Sequence, residues 1–144
     1  MIIISHRGNL NGPEAATENM PAQLTTALEA GFHVECDVWY TGGHFWLGHD
    51  VATWTADEFV RNAHPFKVWF HAKNVEALVE LSALNKHYFA HDKDPYTVTS
   101  REFFWCYPGC RVPRTWGVQV HRPGDVVQAH AEAICTDSPF RLRG

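Results

Sequence analysis

Hydrophobic and polar positions along this chain repeat with two different periods, and each change of period marks an element. Ile2, Ile3 and Ile4 form an unbroken apolar run that reads as a buried strand delivering His6 to its carboxyl end. Asn19-Met20-Pro21 then offers a helix start, Met20, Leu24, Ala27 and Leu28 share one helical face, and Gly31 supplies the stop. Residues 33–39 switch to period two, with Val34, Cys36 and Val38 on one face and His33, Glu35, Asp37 and Trp39 on the other. Tyr40-Thr41-Gly42-Gly43-His44 reads as a turn, followed by a short extended return, Phe45-Trp46-Leu47-Gly48, that ends at His49. Thr55 and Glu58 make a capping box for a short helix, and residues 66–70 predict a third strand leading into His71-Ala72-Lys73. Asn74 caps a helix running through Leu84, with Val75, Leu78 and Val79 on one side.

Beyond Asn85 the helical period fades. Tyr88-Phe89-Ala90, residues 103–105 and residues 116–120 read as strands separated by Pro95, Pro108 and Pro113, with a brief helix over 125–131 and a last strand over 133–135 before Asp137. No linker, low-complexity tract or repeat interrupts residues 1–144, which predicts one domain. Strands alternating with helices predict parallel βαβ units, whose ligands sit at the carboxyl ends of the strands. His6, Glu35, Asp37, Lys73 and Asp137 all fall at such ends. A full (β/α)₈ barrel takes about 200 residues or more, so the expected α/β fold is a reduced TIM-type barrel of roughly seven strands with several outer helices missing.

Composition narrows the function. A hydrophobic share of 45% in 144 residues supplies one sizeable core, and a formal charge of −4 gives no basic field for a nucleic acid while leaving room for a small anion held by local cations. The apolar run at Met1–Ile4 is too short for a signal-peptide core or a membrane span, so a cytoplasmic location is expected. Cys36, Cys106, Cys110 and Cys135 lack the close pairing of a zinc site and read as reduced, packed thiols.

The candidate chemistry follows from position. Glu35 and Asp37 project from one strand face, and hard carboxylate oxygens suit Mg²⁺ or Ca²⁺, although Glu-x-Asp is also what a solvated strand face looks like. His6 and His49 are candidates for a base or nucleophile and an acid, since imidazole titrates near neutral pH. Arg7 beside His6 can grip a phosphoryl group bidentately or pair with an acid at the barrel mouth. Trp69, His71 and Lys73 share parity on the third strand, so Lys73 offers phosphate a point charge, unless it is an exposed residue at a helix start. Trp39 lies one parity step beyond Asp37, whereas the other aromatics read as core. The chain has no Gly-rich Lys-Ser/Thr phosphate loop, no His-Glu-x-x-His and no Gly-x-Ser-x-Gly.

His6-Arg7-Gly8, Glu18-Asn19, Glu35-x-Asp37, Gly48-His49-Asp50, a lysine after the next strand and Thr136-Asp137-Ser138-Pro139 stand in an order that resembles the glycerophosphodiester phosphodiesterase family, of which this would be a short, divergent member. The resemblance implies a TIM-type barrel of lipid metabolism that uses a divalent cation to cleave glycerophosphodiesters into glycerol 3-phosphate and an alcohol. It makes His6 and His49 the catalytic pair, Glu35 and Asp37 metal ligands, and Arg7 and Lys73 substrate contacts. Glu18 and Trp39 fall beside them. The expected cation is Mg²⁺, Ca²⁺ or Mn²⁺; His71 stands where the family carries an acidic ligand, and imidazole shifts preference from Ca²⁺ toward Mn²⁺ or Zn²⁺. Two other readings follow from His71 and the missing helices. One is an inactive phosphate- or partner-binding module on the same fold, and the other is a homo-oligomer in which a second copy covers exposed barrel surface.

Overall fold

The computed structural model describes residues 1–143, and its first half follows the hydrophobic pattern closely. β1 (Ile2–His6) is followed by a tight turn at Arg7 and Gly8, both at positive φ (55° and 82°), and then by α1 (Pro21–Glu29). Pro21 sits in the first helical turn, where its missing N–H costs nothing, and Leu24 and Ala27 are the buried face. β2 (His33–Thr41) pairs with β3 (His44–Leu47) through a two-residue Gly42-Gly43 loop. Both glycines have positive φ (61° and 80°), as a twist-matched hairpin turn requires. β4 (Trp54–Thr55), α2 (Asp57–Asn62), β5 (Val68–Ala72) and α3 (Val75–Ala83) come next, the last capped by Asn74, whose side chain accepts the Ala77 N–H at 3.1 Å. The second half contributes β6 (His87–Phe89), β7 (Tyr96–Val98), β8 (Phe104–Cys106), β9 (Gly117–His121), β10 (Ala133–Thr136) and the short α4 (Pro139–Arg143).

The strands form one mixed α/β sheet. β6-β5-β2-β1-β10-β9-β8 is a run of parallel neighbours, β7 adds antiparallel to β8, and β3 and β4 extend antiparallel from β2. The sheet is curled, because Trp69 on β5 and Trp105 on β8 lie many strands apart in this order and yet their rings are 6.1 Å apart. Among the described residues no ladder joins β6 to β7, which covers the outer edge of β8, so the sheet is an open half-barrel. That seam is bridged instead by the Ser100 N–H to the Tyr88 carbonyl (2.8 Å), by the Thr97 hydroxyl to the Ala90 carbonyl (2.9 Å), and by stacked Phe89 and Trp105 rings.

Each face of the sheet has its own core. Ile4, Trp69, Phe89, Trp105, Val118, Ala133 and Cys135 fill the concave side, whereas Val34, Cys36, Val38, Val68 and Phe70 pack on the convex side with Leu24, Ala77 and Leu81 of the helices. The expected parity of β2 therefore holds: its apolar set meets the helices, while Glu35 and Asp37 face the other way and are nonetheless buried. The cysteines are free, three of them buried.

Several sequence expectations are corrected. The third strand starts two residues late, at Val68, because the Phe66 and Lys67 N–H groups turn onto His64 Nδ1. No Thr55/Glu58 capping box forms: α2 starts after Ala56, and the Asp57 carboxylate accepts the Phe45 N–H at 2.7 Å. On α3 the buried residues are Ala77 and Leu81, whereas Val75 and Val79 are exposed. Residues 125–131 are not helical. Gln119 and Gln128 bind that segment through side chain to backbone hydrogen bonds, with Gln119 Nε2 on the Val126 carbonyl and the Gln128 N–H on Gln119 Oε1, both at 2.9 Å, and these compete with helix formation. β7 had no recognisable signal.

A buried polar chain under the concave core gives a pH prediction. His87 bonds Thr99 Oγ1 at 2.8 Å, and Thr99 Oγ1 accepts the Phe103 N–H at 3.2 Å. Burial pulls its pKa down from 6.5 to about 3. The unfolded chain therefore takes up a proton that the folded one refuses, and stability falls as pH drops from about 6.5 toward 3. Denaturant titrations across that window will show the wild type losing on the order of 4 kcal/mol more than His87→Gln.

Candidate metal centre and active site

Parallel pairing brings the carboxyl ends of β1, β2 and β5 side by side, with His6 opposite Glu35 and Asp37 opposite His71. His71 Nε2 donates to the His91 carbonyl at 2.9 Å, and its ring stacks on Phe89 at 4.9 Å. A carbonyl can only accept, so the neutral ring carries its lone pair on Nδ1, which faces Asp37 Oδ1 at 3.1 Å and Glu35 Oε1 at 4.0 Å. A lone pair aimed at two carboxylates calls for a cation between them, either a proton or a metal. One ligand atom from each of Glu35, Asp37 and His71 lies within 4.8 Å of the others. Two ligands each about 2.4 Å from an ion are at most about 4.8 Å apart, so the spacing fits. Glu35 Oε2 adds a second sign of fit, being buried without a hydrogen-bond partner among the described residues.

Charge points the same way. Glu18, Glu35, Asp37 and Asp137 are answered by one permanent cation, Arg7. Burial and the neighbouring Asp37 raise the Glu35 carboxyl above its ordinary range. Burial acts on Asp37 too, but the His71 hydrogen bond and charge, together with Arg7 and Asn19, hold it down at about 2. Asp37 thus keeps its charge against local partners, and Glu35 is the group left under-compensated.

His6 is oriented from behind. Its Nδ1 is 2.8 Å from Asp137 Oδ1, which also accepts from Asn9 Nδ2 at 2.8 Å, and this leaves Nε2 free 3.5 Å from Glu35 Oε2. Burial lowers the basicity of His6, but the Asp137 hydrogen bond and the Glu35 charge outweigh it and raise the pKa above 6.5. Arg7 reaches Glu18 at 3.1 Å and Asp37 at 3.3 Å from a left-handed backbone. Asn19, also left-handed at φ 63°, clasps Asp37 at two points: its amide donates to Oδ2 at 3.0 Å and its carbonyl accepts the Asp37 N–H at 2.8 Å. Asn9 has no distinguishing sequence pattern, Asn19 reads only as a helix start, and Asp137 reads as a residue at a strand's carboxyl end with no assigned partner. The one cue was Asn in a Glu-Asn pair before a helix.

The other expected residues are more dispersed. His49 is partly exposed, pairs with Asp50 at 2.9 Å, and lines a cleft of about 270 Å³ together with Arg7, Glu18 and Asn19. Trp39 positions that loop, its indole N–H donating to the Gly48 carbonyl at 2.7 Å. Glu18 binds Arg7 and Asn9. Lys73 lines another depression with Asn74, His91 and Asp94 and forms no ion pair among the described residues. A larger cleft, about 640 Å³, lies along α1 and α2 and contains none of the converging groups.

Gly48 is required by the His49 loop, since a Cβ there would lie 1.9 Å from the Val51 carbonyl oxygen. Gly48→Ala should therefore lower the thermal midpoint by several degrees and displace His49, an outcome checked by calorimetry and by the His49 ring signals in NMR. Comparison with protein-family models, curated proteins and solved structures returns no match. No helix among the described residues is long and apolar enough to cross a membrane.

Proposed function

We propose that this chain is a metal-dependent phosphodiester hydrolase acting on small glycerophosphodiester-like substrates. The observation that carries the reading is the convergence, at one end of the parallel strands, of an aspartate-held imidazole, a guanidinium and a Glu/Asp/His set with an unpartnered buried oxygen. The order of the seven parallel strands, with first beside last, supports a reduced TIM-type barrel. The free cysteines are in keeping with a cytoplasmic location.

Glu35, Asp37 and His71 would hold Mg²⁺, Ca²⁺ or Mn²⁺, which when bound supplies charge neutralisation to the phosphoryl oxygens. Arg7, positioned by Glu18 and Asp37, contacts the phosphoryl group. His6, held through Nδ1 by Asp137, accepts at Nε2 the proton of the attacking hydroxyl, either water or a hydroxyl next to the ester. His49, at the more open wall, gives a proton to the departing alcohol oxygen. Water attack yields a phosphomonoester and an alcohol, and attack by a neighbouring hydroxyl yields a cyclic phosphate first.

The test is turnover of bis(p-nitrophenyl) phosphate and of glycerophosphodiesters with each cation in wild type, His6→Ala and His49→Ala. Hydrolysis in the wild type and loss in both folded variants supports the reading, whereas equal rates in all three overturn it. The exposure of His49 favours one other reading, a phosphate- or partner-binding module without catalysis. Metal binding with no turnover over a broad diester panel would select that module.

A further inference from the structure

Sheets built on parallel strands are normally covered on both faces, and here the outer face of β7 and β8 is bare. Trp105 of β8 fills the concave core, so Phe104 beside it points to the convex side. Register sets Val98 opposite Phe104 and Tyr96 opposite Cys106, which brings Tyr96 and Val98 of β7 to that same side. The chain forms no helix between α3 and α4, and Tyr96, Val98 and Phe104 are left 51, 55 and 41% exposed. A cleft of about 520 Å³ opens there, lined by Tyr96 and Phe104 with Arg111, Pro113 and Arg114. Both arginines are exposed, and neither forms an ion pair among the described residues.

A matching surface lies on the same molecule. Helix α3 turns Ala77 and Leu81 to the sheet, and its opposite side carries Val75 and Val79, 65 and 61% exposed. Glu76 and Glu80 stand beside them and also form no ion pair among the described residues. Because α3 packs over β5 and β6, it stands out by one helix layer on one side of the β6–β7 seam, and the bare face is recessed by that layer on the other. A two-fold axis along the seam turns the helix of each copy onto the bare face of the other, so both contacts form twice and the assembly closes. We propose that the chain forms a two-fold dimer in which α3 of each copy covers the β7–β8 face of the other. Val75 and Val79 meet Tyr96, Val98 and Phe104, and Glu76 and Glu80 meet Arg111 and Arg114. An anionic membrane would suit the aromatic and arginine side chains, but it leaves the acidic, apolar helix beside them without a partner. The dimer does not depend on the phosphodiesterase reading.

Sedimentation velocity tests it. Wild type should approach twice the chain mass of 16.4 kDa as concentration rises. Arg111→Glu with Arg114→Glu, and separately Glu76→Arg with Glu80→Arg, set like charges against each other at both contacts, and each pair should weaken association about tenfold or more with circular dichroism unchanged. Mixed in equal amounts, the two double variants regain opposite charges at both contacts, so a heterodimer should return over the wild-type concentration range. Wild type that stays at 16.4 kDa up to its highest soluble concentration overturns the dimer. Association untouched by either double variant, or a mixture that remains monomeric, overturns this interface. Monomer that instead sediments with phosphatidylglycerol vesicles, and loses this on arginine reversal, assigns the bare face to a membrane.

Discussion

Glu35→Gln and Asp37→Asn should each abolish the response to divalent cations while moving the stability of the metal-free chain in different directions. Where a cation is present at about 100 times its dissociation constant, linkage adds about 2.7 kcal/mol, which for a domain near 150 residues is a rise of roughly 5–10 °C in thermal midpoint. Both variants should lose that rise. Without metal, Asp37→Asn forfeits the partners that hold its carboxyl at about 2, a shift worth about 2 kcal/mol at neutral pH. That stability is present above the unfolded carboxyl pKa and is lost as pH falls through about 2. Glu35→Gln removes a carboxylate whose Oε2 has no partner and whose pKa burial and Asp37 raise, so the metal-free variant should be as stable as wild type or more so. Scanning calorimetry with and without Mg²⁺, Ca²⁺ or Mn²⁺ reads both effects. A wild type indifferent to all three ions would show that protons, and not a metal, balance this cluster.

The second large effect belongs to His6 and Asp137. His6→Ala should cut kcat on a generic diester by about 10³-fold or more, with the fold intact by circular dichroism. Asp137→Asn keeps the shape but withdraws the charge that orients Nδ1–H and raises the pKa of His6. A loss of about 10²- to 10⁴-fold is expected, the range that follows when a catalytic imidazole loses its aspartate. The sign of the accompanying pH change is fixed. Losing Asp137 lowers the His6 pKa, so the limb of the rate profile that reports deprotonation of His6 should shift to lower pH. A pH–kcat/KM profile for Asp137→Asn superposable on that of wild type would show that Asp137 does not act through His6.

The parts of this site readable from sequence are those governed by parity within one strand. Glu35 and Asp37 alternate with Val34, Cys36 and Val38, and once the apolar set is assigned to the helices the carboxylates must share the other face. His6 follows from the isoleucine run in the same way. Asn19 could not be read so, because its clasp on Asp37 depends on a left-handed backbone angle and on a partner 18 residues away. Asp137 reaches His6 across 131 residues, through a β1–β10 pairing that no local pattern announces. In the second half the strands β6, β7 and β8 have three residues each, too few to display a period, and the segments between them are held by individual side chains such as Gln119 and Gln128. Thr55 shows the opposite failure: a capping pattern was legible but lost to Asp57, which the neighbouring β3 backbone recruits.

The gap between β6 and β7 bears on how such a molecule can be enlarged. Every junction in the parallel run is a continuous ladder that an extra strand would have to break, whereas β6 and β7 are joined only by scattered hydrogen bonds, such as Ser100 to Tyr88, Thr97 to Ala90 and His87 to Thr99, and by ring stacking nearby. A strand grafted between Phe89 and Tyr96 could enter between β6 and β7 without breaking a ladder or shifting the register that aligns His6, Glu35, Asp37 and His71. The seam is thus the port at which the architecture can gain a building block while the chemistry stays where it is.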